Sequence, residues 1–486
     1  MLVGFAVAAA DDAGVRALSL LFTLVACGGG GGGHGAVPDA SRPDAAAPLG
    51  DIADELRAID GMSMVTEYDY DGPGYRFFSM LYTQPVDHDQ PDGPTFSQMM
   101  TLIHRSYDAP TVLATTGYWN YLGGSRTEPT VLLDANQLVT EERFFSDSRP
   151  DPADWDKLRI RQAAADHHRI IAALKRRIYK GVWVSTGASK GGMTSIYHKR
   201  FYPDDVDAVI AYVAPISFGA PDDRYQAFFD TVGTSACRQR LHDFQRMALT
   251  RRDEIKPMIV DLVNQEGYQF SYSGGLDTAI EDEIAGLEWS FWQYMGTQFC
   301  NSIPQAGATA AAIYNFIDQD GGLTFSADRY VDLFMPYYFQ ADVELGYPGY
   351  EASYVQDLLL YKDVVRPDPL PSGFDHTYDP SAMADIADWV KHNGDDIMYI
   401  YGEYDPWFAG AFELGTTTNA VELVAAQATH GASISQLSSA DRDTALSTIE
   451  AWTGVQPSFP AAFARPLPPR YTPRPPPWLL LRHAHR

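Results

Sequence analysis

An α/β fold, with a mostly parallel sheet interrupted by a large helical insertion, is what this sequence predicts. Three observations carry the prediction. Strand-like and helix-like segments alternate from about Tyr75 to Pro215 and again from Ile397 to Trp452. Between about Asp222 and Pro380 the alternation stops, and the chain turns helical, aromatic and loop-rich. Finally, the apolar run Gly181-Val182-Trp183-Val184-Ser185-Thr186 leads through Gly187-Ala188-Ser189-Lys190-Gly191 into a helix opening at Gly192-Met193-Thr194. A strand, a tight Gly-x-Ser-x-Gly turn and a helix form the nucleophile elbow of an α/β-hydrolase. The predicted fold class is therefore an α/β-hydrolase sheet with a helical lid insertion after the sixth strand.

The elements follow in order. Tyr75–Pro85 and Thr95–Ile103 read as two antiparallel strands joined by an Asp/Gly/Pro turn. Thr111–Gly117 is a third strand and Glu141–Phe145 a fourth. A helix from about Trp155 to Lys175 starts after Asp151-Pro152-Ala153-Asp154. The elbow strand is fifth and Val206–Pro215 sixth. After the insertion come a seventh strand at Ile397–Tyr401, an eighth at Val421–Ala425, and a last helix from about Ser439 to Trp452. Residues 51–221 and 381–456 would form the catalytic domain, and 222–380 a lid that sets which substrates enter.

The flanks differ from this body. Arg16 precedes the apolar run Ala17–Ala26, which is too short to span a bilayer comfortably. The run ends in Leu24-Val25-Ala26-Cys27, which resembles a bacterial lipobox with Cys27 as the lipidated residue. Residues 1–27 thus read as a lipoprotein-type signal peptide, with Val15 a candidate start, and an ordinary secretory peptide is the alternative. The glycine run Gly28–Gly33 and the Ala/Pro/Asp-rich stretch behind it make residues 28–50 a flexible linker. Residues 457–486 hold five arginines, no acid and the run Pro475-Pro476-Pro477, the composition of a disordered tail. The expected location is outside the cytoplasm, lipid-anchored in the cell envelope or secreted, with no membrane contact beyond the lipid.

Across 486 residues, 63 acidic against 36 basic side chains leave a formal charge of −27, the wrong sign for a nucleic-acid partner. Such a surface either favours cationic ligands or serves solubility alone. Setting Cys27 aside leaves Cys237 and Cys300, a disulfide in an exported chain or two buried thiols. No zinc-ligand spacing is present, and neither a metal nor a cofactor is called for.

The hydrolase fold orders its triad as serine, acid, histidine. After the seventh strand the chain reads Tyr401-Gly402-Glu403-Tyr404-Asp405-Pro406, which makes Asp405 the acid and Glu403 its alternative. After the eighth it reads Thr429-His430-Gly431, which makes His430 the base for Ser189. The Lys190 N–H is one expected oxyanion donor, and the loop after the third strand offers Gly117 or Tyr118 N–H as the second.

Ser185–Thr194, Tyr197–Val206, Glu142–Phe145, Ser148-Arg149-Pro150, Phe291–Tyr294 and His430-Gly431-Ala432 together resemble the secreted bacterial tripeptidyl aminopeptidases, relatives of prolyl carboxypeptidase. The resemblance covers about Tyr68 to Trp452. It implies Ser189 as nucleophile, Asp405 as acid and His430 as base. It also implies release of short peptides, often tripeptides, from a free amino terminus, with proline favoured near the cut in some members. Such an enzyme needs an anion to hold the substrate ammonium. Glu288 comes first among the candidates, then Glu142 and Glu141, with Glu281, Asp282 and Glu283 behind them; each is equally readable as a solvated helix-face acid. An esterase or lipase with the same triad and a non-catalytic surface lipoprotein are the competing readings. The polar, acidic insertion argues against a lipase, and the intact triad against decay.

Overall fold

The computed structural model describes residues 49–318, 322–416 and 418–459. The expected signal peptide, Cys27, most of the linker and nearly all of the Pro/Arg-rich tail lie outside those residues.

Among the described residues nine strands form one sheet: β1 (Met62–Tyr68), β2 (Arg76–Pro85), β3 (Thr95–His104), β4 (Thr111–Thr115), β5 (Asn136–Thr140), β6 (Trp183–Ala188), β7 (Ala208–Tyr212), β8 (Ile397–Gly402) and β9 (Val421–Ala425). Their spatial order is β1-β2-β3-β5-β4-β6-β7-β8-β9. The pairings from β1 to β5 are antiparallel, and those from β5 through β4 to β9 are parallel. Every residue of β4, β5, β7 and β8 is buried, because helices cover both faces there.

The two-residue period of a strand divides the core. Val209, Ala211, Ile397, Tyr399 and Tyr401 point to one face, where they meet Ile170, Ile171, Leu174 and Ile196 of the helices Ile160–Arg177 and Lys190–Phe201. Ala208, Ile210, Met398 and Ile400 point to the other, against Ala445 and Ile449 of the helix Ser439–Thr453. This is the α/β-hydrolase architecture, and it fixes β6, β8 and β9 with their carboxyl ends on one edge.

Three expectations are corrected. Met62–Tyr68 is an additional edge strand, so the strand ahead of the insertion, Ala208–Tyr212, is seventh among the described residues. Glu141–Phe145 is not a strand. The strand is Asn136–Thr140, and the chain then turns through Phe144 (φ 72°) and Ser146 (φ 47°). The helix expected from Trp155 is a short 3-10 turn at Trp155–Lys157 followed by the α-helix Ile160–Arg177.

Between β7 and β8 the described residues carry helices and no strand, only an isolated bridge between Asp222 and Pro348. Phe244, Ile255, Ile284, Leu287 and Phe316 of this insertion belong to the same apolar cluster as the sheet. Cys237 and Cys300 are bridged, with Cα atoms 5.3 Å apart, tying the helix Ser235–Thr250 to the turn Thr297–Ser302. Among the described residues no helix is long and apolar enough to cross a membrane.

Candidate active site

Ser189 sits between β6 and its helix at φ 55° and ψ −127°, a conformation costly for a residue with a Cβ. The surrounding backbone holds it there. Its N–H donates to the Tyr212 carbonyl at 2.9 Å, and its carbonyl accepts from Met193 N–H at 3.0 Å. A Cβ at Gly187 would lie 2.6 Å from the Thr115 carbonyl oxygen, and one at Gly191 would strike that same oxygen. The elbow therefore needs both glycines for close approach to the end of β4.

Asp405 follows β8 and is fully buried. One carboxylate oxygen accepts from Trp407 N–H at 3.1 Å, and the other lies 2.7 Å from His430 Nδ1. Glu403, the alternative acid, is solvent-exposed and accepts from Gln427 N–H at 2.7 Å. His430 follows β9 with its side chain only 7% exposed. An imidazole donating through Nδ1 presents the Nε2 lone pair, and among the described residues that buried Nε2 has no hydrogen-bond partner.

The insertion meets this histidine directly. His430 N–H donates to the Gln293 carbonyl at 2.9 Å, and the Tyr294 ring stands edge-on to the imidazole with centroids 6.3 Å apart. Both belong to the π-helical turn Phe291–Met295. In the sequence that segment stood out through its aromatic residues and through resemblance. Its backbone contact with the His430 loop has no local signature, since the two lie far apart along the chain.

Gly117 packs on the elbow so closely that a Cβ there would lie 2.8 Å from the Lys190 carbonyl carbon. The Lys190 ammonium donates to the Gly117 carbonyl and sits 5.3 Å from the centroids of Tyr118 and Phe145. Tyr118 N–H donates to Thr116 Oγ1 at a long 3.3 Å. Burial pushes the Lys190 pKa down, and Glu142, 3.8 Å away, opposes that shift.

The acids expected as amine anchors are buried or paired to differing degrees, whereas a substrate ammonium requires an open carboxylate oxygen. Glu288 is 1% exposed and held inside the insertion by Tyr350 OH at 3.0 Å, Tyr354 OH at 3.1 Å and His242 at 3.2 Å. Glu141 accepts from Asn120 N–H and from Ser148, and burial lifts its carboxyl to about 7. Glu142 is enclosed beside Lys190. Glu281 caps Leu360 and Tyr361 N–H and pairs with Arg252, while Asp282 pairs with Arg366. No cluster of side chains able to hold a metal ion occurs among the described residues.

Residues 45–469 match the model of the PS-10 peptidase S37 family. The chain is 41% identical over 416 residues to the prolyl tri/tetrapeptidyl aminopeptidase of Streptomyces mobaraensis, covering 85% of this chain and 87% of that one. Among solved structures it is similar to the proline iminopeptidase of Mycobacterium smegmatis, at 11% identity and TM-score 0.35 over 72% of this chain and 91% of that one. It is also similar to a peroxisomal α/β-hydrolase of Saccharomyces cerevisiae, at 13% identity and TM-score 0.34 over 85% and 97%. With a strained serine elbow on an α/β-hydrolase sheet and a family match over most of its length, the chain is a serine peptidase and belongs to the PS-10 peptidase S37 family.

Proposed function

We propose that this protein is an exported exopeptidase that releases tripeptides or similarly short peptides from free amino termini, with proline favoured at the cut, through an acyl-enzyme on Ser189. The observation that carries the reading is the 2.7 Å Asp405–His430 pair, which leaves Nε2 as a lone-pair base at the sheet edge that bears Ser189. His430 Nε2 takes the Ser189 proton as Oγ adds to the scissile carbonyl, and the buried Asp405 stabilises the imidazolium that forms. The oxyanion is received by Lys190 N–H and an N–H of the Gly117–Tyr118 turn. His430 then protonates the leaving amine, and water releases the peptide by the same steps in reverse. The substrate class rests on the likeness to the Streptomyces aminopeptidase. Export and envelope anchoring rest on the lipobox-like Leu24–Cys27.

The test is hydrolysis of free and amino-blocked chromogenic tripeptides, with proline or alanine at the cut, beside a short-chain ester. Cleavage of free but not blocked peptides, lost in Ser189→Ala, supports the proposal. Turnover of the ester alone supports an esterase, and no turnover by folded protein supports a binding role.

A further inference from the structure

Glu128 lies outside every motif noted in the sequence, yet it joins three of the loops around the reacting atoms. It opens the short helix Glu128–Leu132, downstream of the turn that carries Gly117 and Tyr118. One carboxylate oxygen accepts from Ile434 N–H at 2.8 Å and from Tyr212 OH at 2.9 Å. The other accepts from Ser435 N–H at 2.9 Å. Ile434 and Ser435 begin the turn that closes the His430 loop. Tyr212 ends β7, and its carbonyl is the acceptor that holds Ser189 N–H at 2.9 Å. A single carboxylate thus connects the backbone four residues past His430 with the residue that fixes the Ser189 backbone. Three donors on one partly buried anion form a stiff junction, because bonds to a charged acceptor are stronger than neutral ones.

We infer that Glu128 is a positioning residue that sets the His430 loop against the Ser189 elbow, so that Nε2 meets the serine hydroxyl in reacting geometry. The inference rests on the proposed Ser189–His430 pair. Without the carboxylate, Ile434 and Ser435 N–H lose their acceptor and the loop relaxes. A displacement of about 1 Å at a catalytic group can cost on the order of 100-fold in rate.

The experiment compares wild type, Glu128→Ala, Glu128→Gln, Tyr212→Phe and Ser189→Ala. Each is assayed for its rate of labelling by a small fluorophosphonate, which needs the serine–histidine pair but no peptide subsites, and for kcat and KM on a tripeptide anilide. Labelling and kcat should fall together, roughly 10- to 100-fold in Glu128→Ala, with KM within about threefold. Glu128→Gln keeps one acceptor oxygen and should retain more activity than the alanine variant, with Tyr212→Phe affected least. If Glu128→Ala does not fold, the ordering of the other two variants carries the test. Labelling at the wild-type rate in folded Glu128→Ala or Glu128→Gln would overturn the inference, as would a loss confined to KM. If the wild type itself is not labelled at Ser189, the triad reading fails instead.

Discussion

Replacing Asp405 with asparagine separates the proposed triad from a merely structural turn. The carboxylate and imidazole lie 2.7 Å apart, at 0% and 7% exposure, so solvent screens them little. At an effective dielectric constant of about 20, opposite unit charges 2.7 to 4 Å apart attract by about 4 to 6 kcal/mol. That attraction exists in full only when His430 carries the serine proton, so it lowers the barrier more than it strengthens binding. At 1.36 kcal/mol per tenfold, kcat should fall by about 10³ to 10⁴ with KM within a few-fold. The amide also turns a donor toward Nδ1 and favours the tautomer that protonates Nε2, which removes the base. The assay is steady-state hydrolysis of a free tripeptide anilide, with Glu403→Gln as companion. Glu403 is exposed and bound to Gln427 N–H, so that variant should keep nearly full activity. Retention of more than about a tenth of wild-type kcat by Asp405→Asn, or collapse of Glu403→Gln, would refute the assignment.

Further outcomes follow from the same geometry. Reducing the Cys237–Cys300 bridge, which spans a separation of 63 residues, should destabilise the protein by up to about 4 kcal/mol, read from denaturant midpoints with and without reductant. Gly191→Ala places a Cβ on the Thr115 carbonyl and should abolish fluorophosphonate labelling while circular dichroism keeps its wild-type form. Burial lifts Glu344, which accepts from Ile160 N–H at 2.9 Å, to about 7 from an ordinary 4.5. A carboxyl raised on folding stabilises most below pH 4.5, and that stability drains away as pH rises to about 7. Wild type should therefore lose more stability than Glu344→Gln between pH 5 and 7.5, by an amount on the order of a few kcal/mol, and equal losses would contradict the assignment.

The elbow was legible because its requirement is local: glycines two residues either side of a strained serine follow from contacts within a few residues and the end of one strand. The pairing of Asp405 with His430, 2.7 Å apart, was legible because the fold orders an acid and a histidine after successive strands, and β8 and β9 announce themselves as apolar runs. Met62–Tyr68 escaped notice because Met-Ser-Met-Val-Thr-Glu-Tyr at an exposed sheet edge has no alternation to read. Glu141–Phe145 misled for the opposite reason. Its two phenylalanines imitate a strand, while its turn is held by tertiary contacts, among them the buried Arg143–Asp166 pair at 2.7 Å. The acids considered as amine anchors could not be judged from sequence. Glu288 is occupied by Tyr350 and Tyr354, more than sixty residues further along the chain. Glu128 was invisible on the same ground, since its donors lie 84 to 307 residues away.

The proposed acyl-enzyme is tested most directly by intact-protein mass spectrometry after rapid acid quench during turnover of a free tripeptide ester, with peptide mapping of any adduct. An acyl-enzyme on Ser189 gives a mass increment equal to the tripeptidyl acyl group, located on Ser189, absent from Ser189→Ala and absent when the substrate's amino terminus is acetylated. An adduct on another residue, or equal acylation by free and acetylated substrates, would contradict it.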